Sequence, residues 1–435
     1  MANHPSIASA VEQLGYRVTN GDIAAQTGLD LNMAQQGLLA LASDAGGHLQ
    51  VSQSGEIAYQ FPRNFRAVLR NKFLRLRLQQ WWEKIWKVLF YLIRISFGIA
   101  LLVSIVLIVS ASIIILIALN SSRDGDDRGD SGGGIVFVPH FFFGPDWFWI
   151  FYPDYDSASY QYRRREKPQF NFLESVFSFL FGDGNPNANL EERRWSEIAT
   201  VIRNNGGVVV AEQIAPYLDN LGSGYAKEYE DYMLPVLTRF NGYPEVSLEG
   251  QIVYRFPELQ VTARSQKPQS VQSYLQELPL RFSGATSGQI IMSVGLGVFN
   301  LAGGLVLGYL LADGAVAAQL GGLVAFVQSI YWLLLGYGTA FLAVPLIRYF
   351  SLGWRNSKIA KRNAQRQERA ILLNQADANL KQKIAFARQF AAETVINRED
   401  LAYTTETDLI DQELEQSKQI DAEWQRRLNE SGPNP

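Results

Sequence analysis

VSQSGEIAYQFP (Val51–Pro62) returns far downstream as VSLEGQIVYRFP (Val246–Pro257). Val, Ser, Gly, Ile, Tyr, Phe and Pro hold the same places in both copies. Such a match marks one supersecondary unit used twice. Each copy reads as two extended runs around a turn, Ser54–Gly55 in the first and Glu249–Gly250 in the second, the pattern of a β-hairpin. The closing Phe-Pro ends each hairpin, because proline cannot donate to a ladder.

Upstream of the first hairpin, Asp30–Ser43 places Leu31, Ala34, Leu38 and Leu41 on one helical stripe, with Asp30 as N-cap. Gly21–Gly28 reads as a short helix, Tyr16–Thr19 as an extended piece and Ser6–Leu14 as a first helix. Helix, strand, helix, helix, hairpin is the order of a winged helix. The second copy follows the same grammar: helix Arg194–Asn204, strand Val208–Val210, helices Ala211–Leu218 and Ala226–Phe240, then the hairpin. Two winged-helix-like α+β domains are therefore expected, at 1–63 and 191–262.

Winged helices often bind DNA, but phosphate contact requires Lys and Arg on the docking face. Residues 1–62 hold one basic residue, Arg17, and Asp30–Ser43 holds none. Residues 191–262 are also predominantly acidic. Both units should repel a duplex, so protein contact is the expected role and nucleic acid is not an expected partner.

The chain has 435 residues, a net charge of −3 and no cysteine. The missing thiols exclude disulfides, thiolate nucleophiles and cysteine-ligated clusters. The three histidines, His4, His48 and His140, are scattered, which argues against a histidine-rich metal site. The N-terminus lacks the basic-then-apolar pattern of a secretory signal.

Apolar residues concentrate in Val88–Leu119 and Gln289–Phe350. Val88–Leu119 exceeds the roughly 20 residues that span a bilayer, so it is expected to be either a long tilted span or a re-entrant hairpin. Further spans are expected at 289–312 and 322–348, with a turn at Asp313–Gly314. Gly304 and Gly308 form a GxxxG pair suited to helix packing. Before the first span, 64–87 reads as a basic interfacial helix. There Arg66, Arg70, Lys72, Arg75 and Arg77 would meet anionic headgroups, with Trp81, Trp82 and Trp86 at the interface. Basic residues in Arg63–Lys87 and Arg348–Arg369 place both flanks on the cytoplasmic or stromal side. Both winged-helix-like units belong on that side if the chain returns after Val88.

Residues 120–134 form a polar, glycine-rich loop whose aspartates fail the EF-hand spacing. An aromatic-rich segment follows at 135–190. Its Phe141, Phe142, Phe143, Trp147 and Trp149 are candidates for partner docking. A linker is expected at 263–288, and 355–430 reads as a charged helical tail able to form a coiled coil. That tail carries apolar Ile371, Leu372, Leu380, Ile384, Phe386, Phe390 and Ile396. The fold expected is a mainly α integral membrane protein with two winged-helix-like domains and a long C-terminal helical tail.

No P-loop, GxSxG, HExxH or CxxC is present. The chain reads as non-catalytic, and no catalytic, cofactor-binding or metal-binding residue is assigned. The expected function is a membrane-anchored interaction or assembly scaffold, with protein partners, lipid headgroups and self-association as its contacts. A transporter or channel with cytoplasmic regulatory domains is the alternative, and a membrane-bound DNA-binding regulator ranks below it.

GEIAYQFPRNFR, EGQIVYRFPELQ and VPHFFFGPDWFWIFYPDYD together resemble an uncharacterised membrane-protein family of cyanobacteria and chloroplasts. The resemblance covers most of the chain and implies a thylakoid or plasma-membrane setting. Plant members carry an iron–sulphur-cluster-biosynthesis label, but this chain has no cysteine to hold a cluster.

Overall fold

The computed structural model describes residues 5–72, 74–121, 171–265, 267–312, 318–397 and 399–430. The first repeat comprises α1 (Pro5–Gln13), β1 (Arg17–Thr19), α2 (Asn20–Thr27), α3 (Leu31–Ala45), β2 (His48–Ser52) and β3 (Ile57–Gln60). Thr19 caps α2 in a reciprocal box with Asp22, and Asp30 accepts from Asn32 N at 2.9 Å to start α3. Gly28 ends α2 in the left-handed region at φ 70°, where a Cβ would strike the Glu192 carbonyl.

α4 (Phe65–Lys72), α5 (Leu74–Ser121) and α6 (Phe172–Phe181) follow. The second repeat comprises α7 (Leu190–Asn204), β4 (Val208–Val209), α8 (Ala211–Ile214), α9 (Tyr225–Glu228), α10 (Leu234–Phe240), β5 (Tyr243–Val246) and β6 (Ile252–Arg255). Next come α11 (Pro257–Gln260), β7 (Val261–Thr262), α12 (Ser287–Leu310), α13 (Gly322–Ser329) and α14 (Tyr331–Asn374). The chain closes with α15 (Ala378–Arg388), β8 (Thr394–Val395), β9 (Leu401–Thr404) and α16 (Leu409–Glu430).

Two compact units emerge. The first is Met1–Gln79, Pro186–Leu278 and Lys358–Pro435, and the second is Gln80–Asn185 and Pro279–Ser357. Both repeats lie in the first unit and share one core. Leu38, Tyr59 and Phe61 of the first belong to the same buried cluster as Ile198, Phe240 and Phe256 of the second. Their sheets have matching orders, β1-β3-β2 and β4-β6-β5, all antiparallel. The first sheet gains a fourth strand, β9, on the outer edge of β2.

In the second unit, α6 packs against α5 through Phe97, Phe177 and Phe181, with ring centroids 4.9–5.8 Å apart. Close-packed glycines seat the apolar helices. A Cβ at Gly297 would lie 2.6 Å from the Phe341 ring, and one at Gly98 would lie 2.9 Å from Leu173 Cα. Ser104 Oγ donates to Asn300 Oδ1 at 2.9 Å, a buried polar pair between α5 and α12. Lys84–Asn120, Ser287–Leu310 and Tyr331–Asn374 are long and apolar enough to cross a membrane.

Several expectations need correction. The hairpin alternative for 88–119 does not occur, because that stretch lies inside the continuous 48-residue helix α5. No Gly-Pro break interrupts it, and Ser side chains are tolerated by bonding back to carbonyls, as Ser112 does to Ile108 O at 2.8 Å. The apolar 322–348 stretch is broken at Ile330, and its second part runs through residue 348 into the tail as one helix, α14. The tail is not helical throughout, since β8 and β9 join sheets with β7 and β2. Ile371 and Leu372 are exposed, whereas Ile396 is buried. Residues 64–87 are not one surface helix: Phe65 and Leu69 of α4 are buried in the first unit's core. The 263–288 linker has no helix or strand before α12 among its described residues, and it is pinned to the first unit by buried Leu275 and by Arg362 and Arg366 on Glu277.

Candidate functional site

Polar side chains hold the two repeats together. Asp22 Oδ2 accepts from Thr19 N at 2.9 Å and Ala263 N at 3.0 Å. Its Oδ1 accepts from Thr262 Oγ1 at 2.9 Å and Arg203 Nη2 at 2.7 Å. Arg17 donates to Gln50 Oε1 at 2.8 Å, Ala263 O at 2.9 Å and Ile396 O at 2.6 Å. One buried cation thus ties β1 to the chain after β7 and the chain after β8. Arg239 donates to Gly28 O at 2.9 Å and stacks on Trp195 at 4.6 Å. This seam is a fastening: every acceptor named on Asp22 is already used, so none is left for a substrate.

A second cluster fixes the end of α14. Arg366 is almost fully buried and donates to Glu277 Oε1 at 2.8 Å, to Leu275 O at 2.9 Å and to Asp219. Arg362 forms a fork on Glu277 at 2.7 and 2.5 Å, and Arg194 pairs with Asp219 at 2.5 Å. Burial opposes ionisation of both acids. Hydrogen bonds and charge from Arg366 and Arg194 on Asp219, and from Arg362 and Arg366 on Glu277, outweigh it and hold both carboxyls below their ordinary range.

The third cluster borders a cavity of about 490 Å³, lined in part by Glu212, Glu228, Glu230, Asp377 and Lys383. Lys383 Nζ lies 3.0 Å from both Glu212 oxygens and 2.6 Å from Glu230 Oε1. Tyr254 donates to Glu230 Oε2 at 2.7 Å, and burial together with Glu230 raises its phenol. The ammonium is therefore engaged rather than poised as a nucleophile. Among the described residues no group of three or more His, Asp or Glu is placed to hold a metal ion.

The remaining feature is a surface. On α16, Leu409, Ile410, Leu414, Ile420 and Trp424 are each more than half exposed. Ile410, Leu414, Ser417, Asp421, Trp424 and Leu428 follow one another at alternating spacings of four and three in the sequence, the seam pattern of a coiled coil. Polar residues occupy the middle of the seam and apolar ones its two ends.

The residues singled out from sequence have separate fates. Arg66 pairs with Glu12 at 2.5 Å and donates to Ser9 at 3.1 Å, within the first unit. Trp81, Trp82 and Trp86 are exposed. The side chains of Arg70, Lys72, Arg75 and Arg77 lie outside the described residues, as do Phe141, Phe142, Phe143, Trp147, Trp149 and the Asp313–Gly314 turn. Gly304 is buried, where a Cβ would lie 3.6 Å from Leu335. Gly308 leaves room for the Tyr331 hydroxyl. Sequence reasoning missed Asp22, Arg17, Lys383 and the Arg366 cluster. Arg366 had a signal: it shares the four-three spacing of Ile359, Asn363 and Ala370, whose apolar members are buried.

An uncharacterised chloroplastic protein of Arabidopsis thaliana is 39% identical over 436 residues, covering 97% of this chain and 81% of its own length. The chain belongs to that protein's family. No protein-family model and no solved structure matches it. The description of the family's plant member goes no further than chloroplastic, and names no iron–sulphur chemistry.

Proposed function

We propose that this protein is a membrane-anchored assembly scaffold, with two winged-helix-like modules fused into one core and α16 displayed to recruit a partner helix. The observation that carries the reading is the exposed seam of α16. Five large apolar side chains in water are a liability unless something covers them. Three of them, Ile410, Leu414 and Trp424, lie on the four-three seam, which suits another helix and a coiled-coil contact. The helix is acidic, with Asp411, Glu413, Glu415, Asp421, Glu423 and Glu430 against Lys418, Arg426 and Arg427. An anionic lipid surface or a nucleic acid would repel it, so the occupant is a protein helix.

Three long apolar helices and a chloroplastic relative support a membrane setting, thylakoid or plasma membrane. The shared core supports a placement of both modules on one side of that membrane, and the basic flanks favour the stromal or cytoplasmic side. Exposed Trp81, Trp82 and Trp86, beside exposed Lys84 and Lys87, suit the headgroup layer. The absence of Lys and Arg from α3 remains the reason against DNA binding.

The test is affinity purification of tagged full-length protein from membranes in mild detergent. A discrete stoichiometric partner is expected, and the double variant Leu414→Glu/Trp424→Glu should lose it while still fractionating with membranes. Absence of any stable partner, or a partner retained by the double variant, overturns the reading.

A further inference from the structure

The duplicated module supplies its own internal comparison. In the repeat, Val51 and Ser52 correspond to Val246 and Ser247, so β2 corresponds to β5. Both strands are the outer member of their three-stranded order. The two are also in phase: Ser52 N donates to Glu56 O at 2.9 Å, and Ser247 N donates to Gln251 O at 2.9 Å. These bonds point inward, toward β3 and β6. Since a strand alternates, Leu49, Val51 and Gln53 direct their main-chain groups outward from β2. Pro244, Val246 and Leu248 do the same from β5.

On β2 that outward row is occupied. β9 lies antiparallel to it, with Gln50 opposite Thr404, Val51 opposite Tyr403 and Ser52 opposite Leu401. Thr405 N donates to Leu49 O at 3.0 Å, and Gln53 N donates to Asp400 O at 2.8 Å. On β5 the row has no strand, because β5 pairs with β6 alone among the described residues. Pro244 does not block it. At the matching position the Leu49 N–H goes to the Thr405 hydroxyl at 2.9 Å, and only the carbonyl enters the ladder. A proline there removes a donor that the ladder does not use.

β5 also exposes apolar side chains along this edge, with Glu245 its one charged residue. Tyr243 and Val246 are exposed, and Leu248 is fully so. Its charged neighbours, Glu245 and Glu249, are acidic.

We propose that the outer edge of β5 receives an extended segment of a partner protein, added antiparallel as β9 is added to β2. The segment would alternate apolar or aromatic residues, as LAYT does at Leu401–Thr404, and would carry basic residues to meet Glu245 and Glu249. Main-chain bonds would supply affinity and the alternate side chains specificity. This site gives the scaffold a second contact, independent of α16.

The experiment pans full-length protein in detergent against a displayed library of random peptides of about twelve residues, long enough for one added strand. Enriched peptides should alternate apolar residues and carry Lys or Arg. Val246→Pro and Leu248→Pro each remove an outward N–H, leaving inward bonds in place. Each should weaken binding roughly tenfold or more, with an unchanged melting profile. The α16 double variant should bind as wild type, which separates failure here from failure of the coiled-coil contact. Peptides that bind both proline variants as tightly as wild type overturn the proposal, as does failure to enrich any. A dimer abolished by Val246→Pro also overturns it, by giving the edge to a second copy of this chain.

Discussion

Asp22 carries more of the first unit than its place in a short polar helix suggests. Its two oxygens hold one guanidinium, one hydroxyl and two main-chain amides, drawn from both repeats. Asp22→Ala would leave the largely buried Arg203 without its carboxylate, a loss of about 3–5 kcal/mol, read as a lower denaturation midpoint. Glu277 and Asp219 make a different prediction. Their folded carboxyls titrate below the unfolded value of about 4. Stability from these pairs is therefore complete above that value, and is lost as pH falls through it toward the folded pKa. Acid unfolding of wild type should steepen below about pH 4, and Glu277→Gln should flatten that slope while lowering stability at neutral pH. None of these roles was legible in the sequence, because a buried acid looks like a surface acid until its partner, distant in the chain, is known.

Among the elements, the glycines of the apolar helices differ in what they permit. Gly98 faces main-chain atoms of Leu173, which cannot rotate away, whereas Gly304 has ordinary contact distance to spare. Gly98→Ala should push α6 off α5 and cost about 1–3 kcal/mol, seen as faster amide exchange in Phe172–Phe181. Gly304→Ala should be nearly silent in the same measurement. The long helices and the hairpins were readable from periodicity and turn chemistry, since their signals are local. β8 and β9 were not, because strands of two and four residues acquire meaning only from distant partners. The boundary of the third apolar segment was misplaced for another reason. Apolar residues give way to charged ones within α14, and a change of solvent does not end a helix.

At the scale of the whole molecule, the C-terminal segment serves two separable purposes. Truncation after Thr407 removes α16, whose apolar face is exposed, and should leave the melting temperature of the first unit within a few degrees of wild type. Truncation after Asn397 also removes β9 and uncovers β2, and should lower the melting temperature markedly and promote aggregation through the bared edge. Differential scanning fluorimetry with light scattering checks both. The same strand sets an order of events during synthesis. Leu49 and Thr405 are 356 residues apart, roughly 20–70 s of translation at about 5–20 residues per second. Throughout that interval the N-terminal sheet has emerged without its last strand, and the apolar helices are made before it arrives. The nascent first module therefore needs shielding by a chaperone or by the membrane surface. The finished four-stranded sheet can exist only after Leu401–Thr404 has left the ribosome.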